Sequence, residues 1–128
     1  MDEPKGMKTV AVVGASSRSH KFGNQAVRGF LRQGYRVVPI NRRDAEIEGL
    51  KTYRSVLDVP GKIDMVTIYV PPDKVLGVLV EVAAKGIVEV WLNPGTESPE
   101  VLQRARELGL EPIVACSLMA LGATLRGS

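Results

Sequence analysis

Two short segments of this 128-residue chain carry side chains suited to holding an anion. The first is Gly14-Ala15-Ser16-Ser17-Arg18-Ser19-His20-Lys21-Phe22-Gly23, which follows the apolar run Thr9–Val13. Gly14 permits a tight strand-to-helix turn. In such a turn, backbone N–H groups, the Ser16 and Ser17 hydroxyls and a helix N-terminus can hold phosphate, and Arg18 and Lys21 add charge. A serine-rich turn that merely caps a helix has the same composition. The segment lacks the Gly-x-Gly-x-x-Gly spacing of dinucleotide sites and the Gly-Lys-Ser/Thr ending of a Walker loop.

The second segment is Asn41-Arg42-Arg43, after the run Arg36–Ile40. An NAD site usually has Asp or Glu here to hold the ribose 2′-OH. Asn41 with two arginines suits a phosphorylated ribose instead, either the 3′-phosphate of coenzyme A or the 2′-phosphate of NADP; two solvated loop arginines are the plain alternative. Two further loops complete the set. Val70-Pro71-Pro72-Asp73 offers a stiff apolar edge without N–H donors at its prolines, which suits an adenine face or a simple helix entry. Leu92-Asn93-Pro94-Gly95-Thr96-Glu97 follows a later apolar run and is expected to face the Gly14 turn.

Catalytic groups are sparse. The one histidine, His20, lies in the first loop and reads as a loop residue or phosphate donor. No paired carboxylates suggest acid–base work. The single cysteine, Cys116, excludes a disulfide framework and a cysteine-based zinc site. It reads as a buried inert thiol, with a mixed disulfide to coenzyme A as the functional alternative. These features favour a binding protein over a complete enzyme.

The elements that must position these loops are five apolar runs, Thr9–Val13, Arg36–Ile40, Met65–Val70, Val88–Leu92 and Pro112–Cys116. They lack clean alternation, as expected of parallel strands covered on both faces. Helical stripes lie between them. Ala26, Val27, Phe30 and Leu31 form one within Asn24–Gln33, before Gly34. Lys74–Lys85 forms a second, with Asp73 as its expected N-cap and Gly86 after it; Ser98-Pro99-Glu100 opens a third, ended by Gly109. Asp44–Lys62 is irregular, with one short helix expected at Ser55–Val59. Alternating β and α predicts an α/β fold of three layers: a five-stranded parallel sheet, order 3-2-1-4-5, with helices on both faces. One domain over residues 8–122 is expected, with loose termini at 1–7 and 123–128. Ser117–Leu121 is expected to cap the sheet or to meet a second subunit.

Charge is uneven. Residues 1–43 hold nine basic and two acidic residues, a net of +7, and the remainder nets −4, giving +3 for the chain. The first third therefore suits an anionic partner. Arg28 and Arg32, four apart on a helix, read as solvated. The basic bias lacks the aromatic interleaving of a nucleic-acid surface, no apolar run reaches the ~18 residues of a membrane span, and the acidic start lacks a secretory h-region. A cytoplasmic setting is expected.

In this order, the loops resemble the small CoA-binding Rossmann family, which is similar to the N-terminal domain of the succinyl-CoA synthetase alpha subunit and of ADP-forming acyl-CoA synthetases. The resemblance rests on Val12-Val13-Gly14-Ala15-Ser16, Gly34–Asn41, Gly49–Pro60, Tyr69-Val70-Pro71-Pro72 and Val90-Trp91-Leu92-Asn93-Pro94-Gly95, and covers about residues 8–122. It implies coenzyme A or acyl-CoA as ligand. Gly14, Ala15, Ser16, Ser17 and Arg18 would hold the pyrophosphate, and Arg42 or Arg43, in the place of a family lysine, the 3′-phosphate. Val70, Pro71 and Pro72 would line the adenosine, and Leu92, Asn93, Pro94 and Gly95 would border the pantetheine. The synthetases need a further domain with a phosphorylated histidine. The resemblance therefore implies a carrier, sensor or accessory subunit, with a homodimer or a partner subunit possible. An NADP-binding oxidoreductase or regulatory subunit is the alternative that the same arginines allow.

Overall fold

The computed structural model describes residues 8–121. The expected termini lie outside the described residues. The sheet is built from β1 (Thr9–Val13), β2 (Arg36–Ile40), β5 (Met65–Ile68), β6 (Glu89–Leu92) and β7 (Glu111–Val114), all parallel. A separate two-residue hairpin pairs β3 (Glu46–Ile47) with β4 (Leu50–Lys51). Helices α1 (Phe22–Arg32), α2 (Pro72–Lys85) and α3 (Pro99–Glu107) complete the alternation, with a short 3₁₀ turn at Val56–Asp58 capped by Ser55.

Successive residues of β1 serve two different cores, because side chains alternate across a strand. Val10 and Val12 join Ala26, Val27 and Phe30 of α1, with Leu118 and Leu121 packed beside them. Ala11 and Val13 face the other way, toward Val75, Leu79 and Val82 of α2 and Val101 and Ala105 of α3. Both faces of the sheet's centre are therefore dry, which explains the apolar runs of β1 and β5. The fold is the expected Rossmann-like three-layer arrangement.

The sheet runs β2-β1-β5-β6-β7. Outside β2, Tyr53 bridges in parallel to Ile40, through Tyr53 N–H to the Pro39 carbonyl and Asn41 N–H to the Tyr53 carbonyl. Counting that bridge as the third position gives 3-2-1-4-5-6, the expected 3-2-1-4-5 with one further strand at the far edge. Counted over full strands alone, the third, Met65–Ile68, lies inside the sheet against β1. The strand order thus reverses between β1 and β5, and a crevice must open there.

Several boundaries differ from expectation: α1 starts at Phe22 and ends at Arg32, one to two residues before the expected Asn24–Gln33, and β6 starts at Glu89, one residue after Val88. Asp73 does not cap α2: the helix starts at Pro72, with Pro71 in the extended cap conformation. A proline lacks an N–H that the first turn would leave unpaired anyway, so the Pro71-Pro72 pair begins the helix instead of preceding it. The third strand ends at Ile68, releasing Tyr69 and Val70 to the crevice. The fifth runs Glu111–Val114, one residue earlier at its start and two earlier at its end than the expected Pro112–Cys116, which leaves Cys116 outside it. Residues 117–121 are helical and lie against α1, where a Cβ on Gly29 would sit 3.3 Å from Leu121. Among the described residues, no helix is long and apolar enough to cross a membrane.

Candidate functional site

At the carboxyl end of β1, Gly14 turns with φ +89°. A Cβ there would meet the Tyr69 carbonyl group and the Val70 side chain at 3.0 Å. The turn after β5 is therefore the immediate neighbour of the Gly14 turn across the reversal, and the β6 loop lies one strand further. Gly23, in the first turn of α1, approaches Gly14 even more closely: a Cβ on it would stand 2.2 Å from the Gly14 carbonyl oxygen. Two glycines nine residues apart thus bring the start of α1 onto the end of β1.

The cleft this creates holds about 810 Å³ and is lined by Gly14 to Arg18, Lys21, Phe22, Gly23, Tyr69, Val70, Pro71, Pro94, Gly95 and Thr96. It continues into a second lobe of about 640 Å³ through Gly14, Asn41, Arg43, Val70 and Lys74, which border both. The second lobe has apolar walls from Val13, Ile40, Val56 and Val78, with Arg42, Arg54, Asp73 and Glu81 among its polar groups.

Six cations border this cleft: Arg18, Lys21, Arg42, Arg43, Arg54 and Lys74. None of their side chains hydrogen-bonds or ion-pairs with another described residue; the ion pairs among the described residues, Lys62–Asp64 and Arg104–Glu107, lie away from the cleft. Lys21 is the N-cap residue of α1 and Lys74 lies in the first turn of α2. A cation at the positive end of a helix dipole is unfavourable by about 0.3–1 kcal/mol unless an anion joins it. Neither of these helices has a side-chain cap, whereas α3 is capped by Ser98. Three carboxylates, Asp44, Asp73 and Glu81, border the same two lobes, so the cations there outnumber the acids six to three.

Several predicted site residues act on the loop itself. Ser16 accepts a hydrogen bond at Oγ from the N–H of Arg18 (3.0 Å). Asn41 donates to the Ala15 carbonyl (2.8 Å) and accepts from the N–H groups of Arg43 and Asp44 (2.6 and 2.8 Å). Asn41 therefore ties the two basic loops together. Leu92 is fully buried in the core beneath α2 and α3 and does not reach the cleft. Pro72 opens α2 and lines neither lobe, and Arg42 reaches only the second.

Asn93 is turned inward, into a buried polar knot. Its amide nitrogen donates to Thr67 Oγ1 (2.7 Å) and the Ile68 carbonyl (2.8 Å), while its oxygen accepts from the Ser117 N–H (2.8 Å). Ser117 Oγ also bonds Thr67 (3.0 Å) and the Tyr69 hydroxyl (2.7 Å). This knot fixes the floor under Tyr69. Burial pushes the Tyr69 hydroxyl above its ordinary pKa, partly offset by the Ser117 hydrogen bond. Cys116 is half-buried beside it and lines neither lobe.

Sequence reasoning missed Gly23, Phe22, Arg54, Lys74 and the loop's support. Lys74 carried a signal, a lysine in a helix's first turn. Phe22, 66% exposed at the rim, carried another, since a large exposed aromatic at a helix start is uncommon among otherwise buried stripes. Arg54 had none.

A family model described as "CoA binding domain" matches residues 8–122. The alpha subunit of ADP-forming acetate–CoA ligase II of Pyrococcus furiosus is 38% identical over 79 residues, which is 61% of this chain; the chain spans 17% of that relative's length. A hypothetical protein from Pyrococcus horikoshii OT3 superposes with a TM-score of 0.87 at 33% identity, over 95% of this chain and 86% of that one. The dinucleotide-forming acetyl-coenzyme A synthetase 1 of Ca. Korarchaeum cryptofilum gives a TM-score of 0.73 at 34% identity, over 84% of this chain and 26% of that protein. Loops, sheet and sequence agree, and the chain belongs to the CoA-binding domain family.

Proposed function

We propose that the protein binds coenzyme A or an acyl-CoA and serves as a carrier, sensor or accessory subunit. The observation that carries this reading is the convergence, among the described residues, of six unpaired cations and two uncapped helix N-termini on one two-lobed cleft. The pyrophosphate is assigned to the Gly14–Arg18 turn, with Lys21 beside it. The adenosine 3′-phosphate is assigned to the second lobe, where Val13, Ile40, Val56, Val70 and Val78 offer apolar contact for the base and Arg42, Arg43 and Arg54 offer charge. Pantetheine leaves along Tyr69 and Pro94–Thr96. In an assembly with a partner subunit, the domain would present the thiol end to chemistry held elsewhere, and no residue of this chain is assigned a bond-breaking step.

Calorimetric titration with CoA, dephospho-CoA and NADPH tests the assignment. CoA should bind tightest, and replacing both Arg42 and Arg43 by Ala should cost about 1–3 kcal/mol for CoA only, the worth of charge-assisted hydrogen bonds. Dephospho-CoA binding as tightly as CoA would remove the 3′-phosphate from these arginines. Saturable NADPH binding without CoA binding would replace the ligand altogether.

A further inference from the structure

The anion-binding turn is held from behind by three residues that line neither lobe. Asn24, in the first turn of α1, is fully buried. Its amide nitrogen donates to the Ser16 carbonyl (2.8 Å) and to Glu48 Oε2 (3.0 Å), and its oxygen accepts from Arg28 Nε (2.7 Å). Arg28 in turn donates to the Ser19 carbonyl (2.8 Å). In a planar trans peptide the carbonyl and the following N–H point opposite ways. Pinning the Ser16 and Ser19 carbonyls toward this network therefore turns the Ser17 and His20 N–H groups away from it.

Glu48 stands out on its own backbone. Its φ is +52°, the one positive value at a non-glycine among the described residues, and Gly49 after it has φ +76°. These two residues form the turn of the β3–β4 hairpin. Turns with positive φ at both central positions favour Asn-Gly, Asp-Gly or Gly-Gly. Glutamate there is strained, and strain of this kind persists where the surroundings over-determine the conformation. The gain is the carboxylate's reach to Asn24, across 24 positions of sequence.

We propose that Glu48 is a positioning residue for the anion site, which fixes Asn24 and, through it, the Ser16–Ser17 peptide that faces the ligand's phosphates. The proposal rests on the assignment of the pyrophosphate to the Gly14–Arg18 turn. Simple electrostatics predicts the opposite sign, since removing a carboxylate near a phosphate site should tighten anion binding. Stability also separates the roles, because Glu48→Gly relaxes the strained turn.

The test is calorimetry and thermal unfolding of the wild-type protein, Glu48→Gly and Glu48→Gln, with CoA, dephospho-CoA and inorganic pyrophosphate as probes. Glu48→Gly should bind CoA and pyrophosphate about tenfold more weakly, the loss of roughly one charge-assisted hydrogen bond's effect on the loop. Its unfolding midpoint should stay within about 2 °C of wild type or rise. Glu48→Gln keeps an oxygen acceptor at the same reach and should bind CoA within about threefold of wild type. The CoA to dephospho-CoA ratio should be unchanged in both variants. Unchanged or tighter binding by Glu48→Gly overturns the proposal, as does equal weakening in Glu48→Gln or a loss matched by a fall in midpoint beyond about 5 °C. A wild-type protein that binds pyrophosphate but not CoA overturns the CoA assignment and leaves this proposal to be read from pyrophosphate. Binding of neither overturns both.

Discussion

Replacing Gly23 by alanine should damage the cleft more than any single exposed cation does. The added Cβ would stand 2.2 Å from the Gly14 carbonyl oxygen, 3.0 Å from the Gly14 carbonyl carbon and 3.2 Å from Ala15 Cα. All three are backbone atoms, so no side-chain rotation makes room. Even a Cα–H···O contact keeps about 3.3 Å between carbon and oxygen, so the start of α1 and the Gly14 turn must separate by about 1 Å. Overpacking on this scale costs about 1–3 kcal/mol, which for a domain this size lowers the unfolding midpoint by about 3–15 °C. The cost to binding is larger, because the shift misaligns the turn's N–H groups and the helix N-terminus together. Two charge-assisted hydrogen bonds lost at about 1.5 kcal/mol each correspond to about a hundredfold in affinity. Differential scanning calorimetry and CoA titration measure the two effects. A variant that unfolds within about 1 °C of wild type and binds CoA within about twofold would refute the close approach and the role assigned to the turn.

Gly77 gives the contrasting case: it lies inside α2, and a Cβ on it meets nothing within 4 Å. Gly77→Ala should therefore stabilise the protein by about 0.5–1 kcal/mol, seen as a higher unfolding midpoint; a fall would mean that the space is filled. Arg54→Ala should weaken CoA about three- to tenfold and leave dephospho-CoA unaffected by calorimetry, an effect that shrinks in high salt because the side chain is exposed. Tyr69 has a raised pKa in the folded state, so its contribution to stability is fully present below pH ~10 and is lost as pH rises through the folded value. Urea midpoints followed into the alkaline range should fall more steeply for wild type than for Tyr69→Phe, and equal slopes would contradict the shift.

The sheet was legible because its central strands β1 and β5 are buried along their whole length, and a parallel strand buried on both faces must be a run of Val, Ile and similar residues. The basic loops were legible because glycine, hydroxyl and arginine sit together in short spans. What escaped depends on contacts across long sequence separations. Arg28 shares a helix face with Arg32 and reads as solvated by spacing alone, yet it donates to the carbonyl of Ser19. Asn24 lies at the edge of an apolar stripe, and nothing local announces that Glu48 will reach it. Leu92 was misplaced for the opposite reason: it adjoins the loop in sequence, but strand alternation sends its side chain into the core while Pro94 and Gly95 turn to the cleft. Sequence neighbours of a site are therefore split by the period of the strand that delivers them.

The placement of charge argues for a ligand independently of any relative. Among the described residues, every buried side-chain nitrogen and oxygen has a hydrogen-bond partner, including those of Asn24, Thr67, Asn93 and Ser117. The same described residues leave six cations around one cleft without a side-chain partner among them. Two of them stand where helix dipoles repel them. Three carboxylates also border the cleft, Asp44, Asp73 and Glu81, and Glu81 accepts from Ser55; nearby Glu48 bonds Asn24 and Glu97 accepts from the N–H of Gly95. None of these forms an ion pair with a cleft cation, so the six cations outnumber the three bordering carboxylates without being neutralised by them. Four of the nine basic residues in the first 43, Arg18, Lys21, Arg42 and Arg43, border the cleft, so the net of +7 there is in part the sequence-level trace of this cluster, to which Arg54 and Lys74 add from later in the chain.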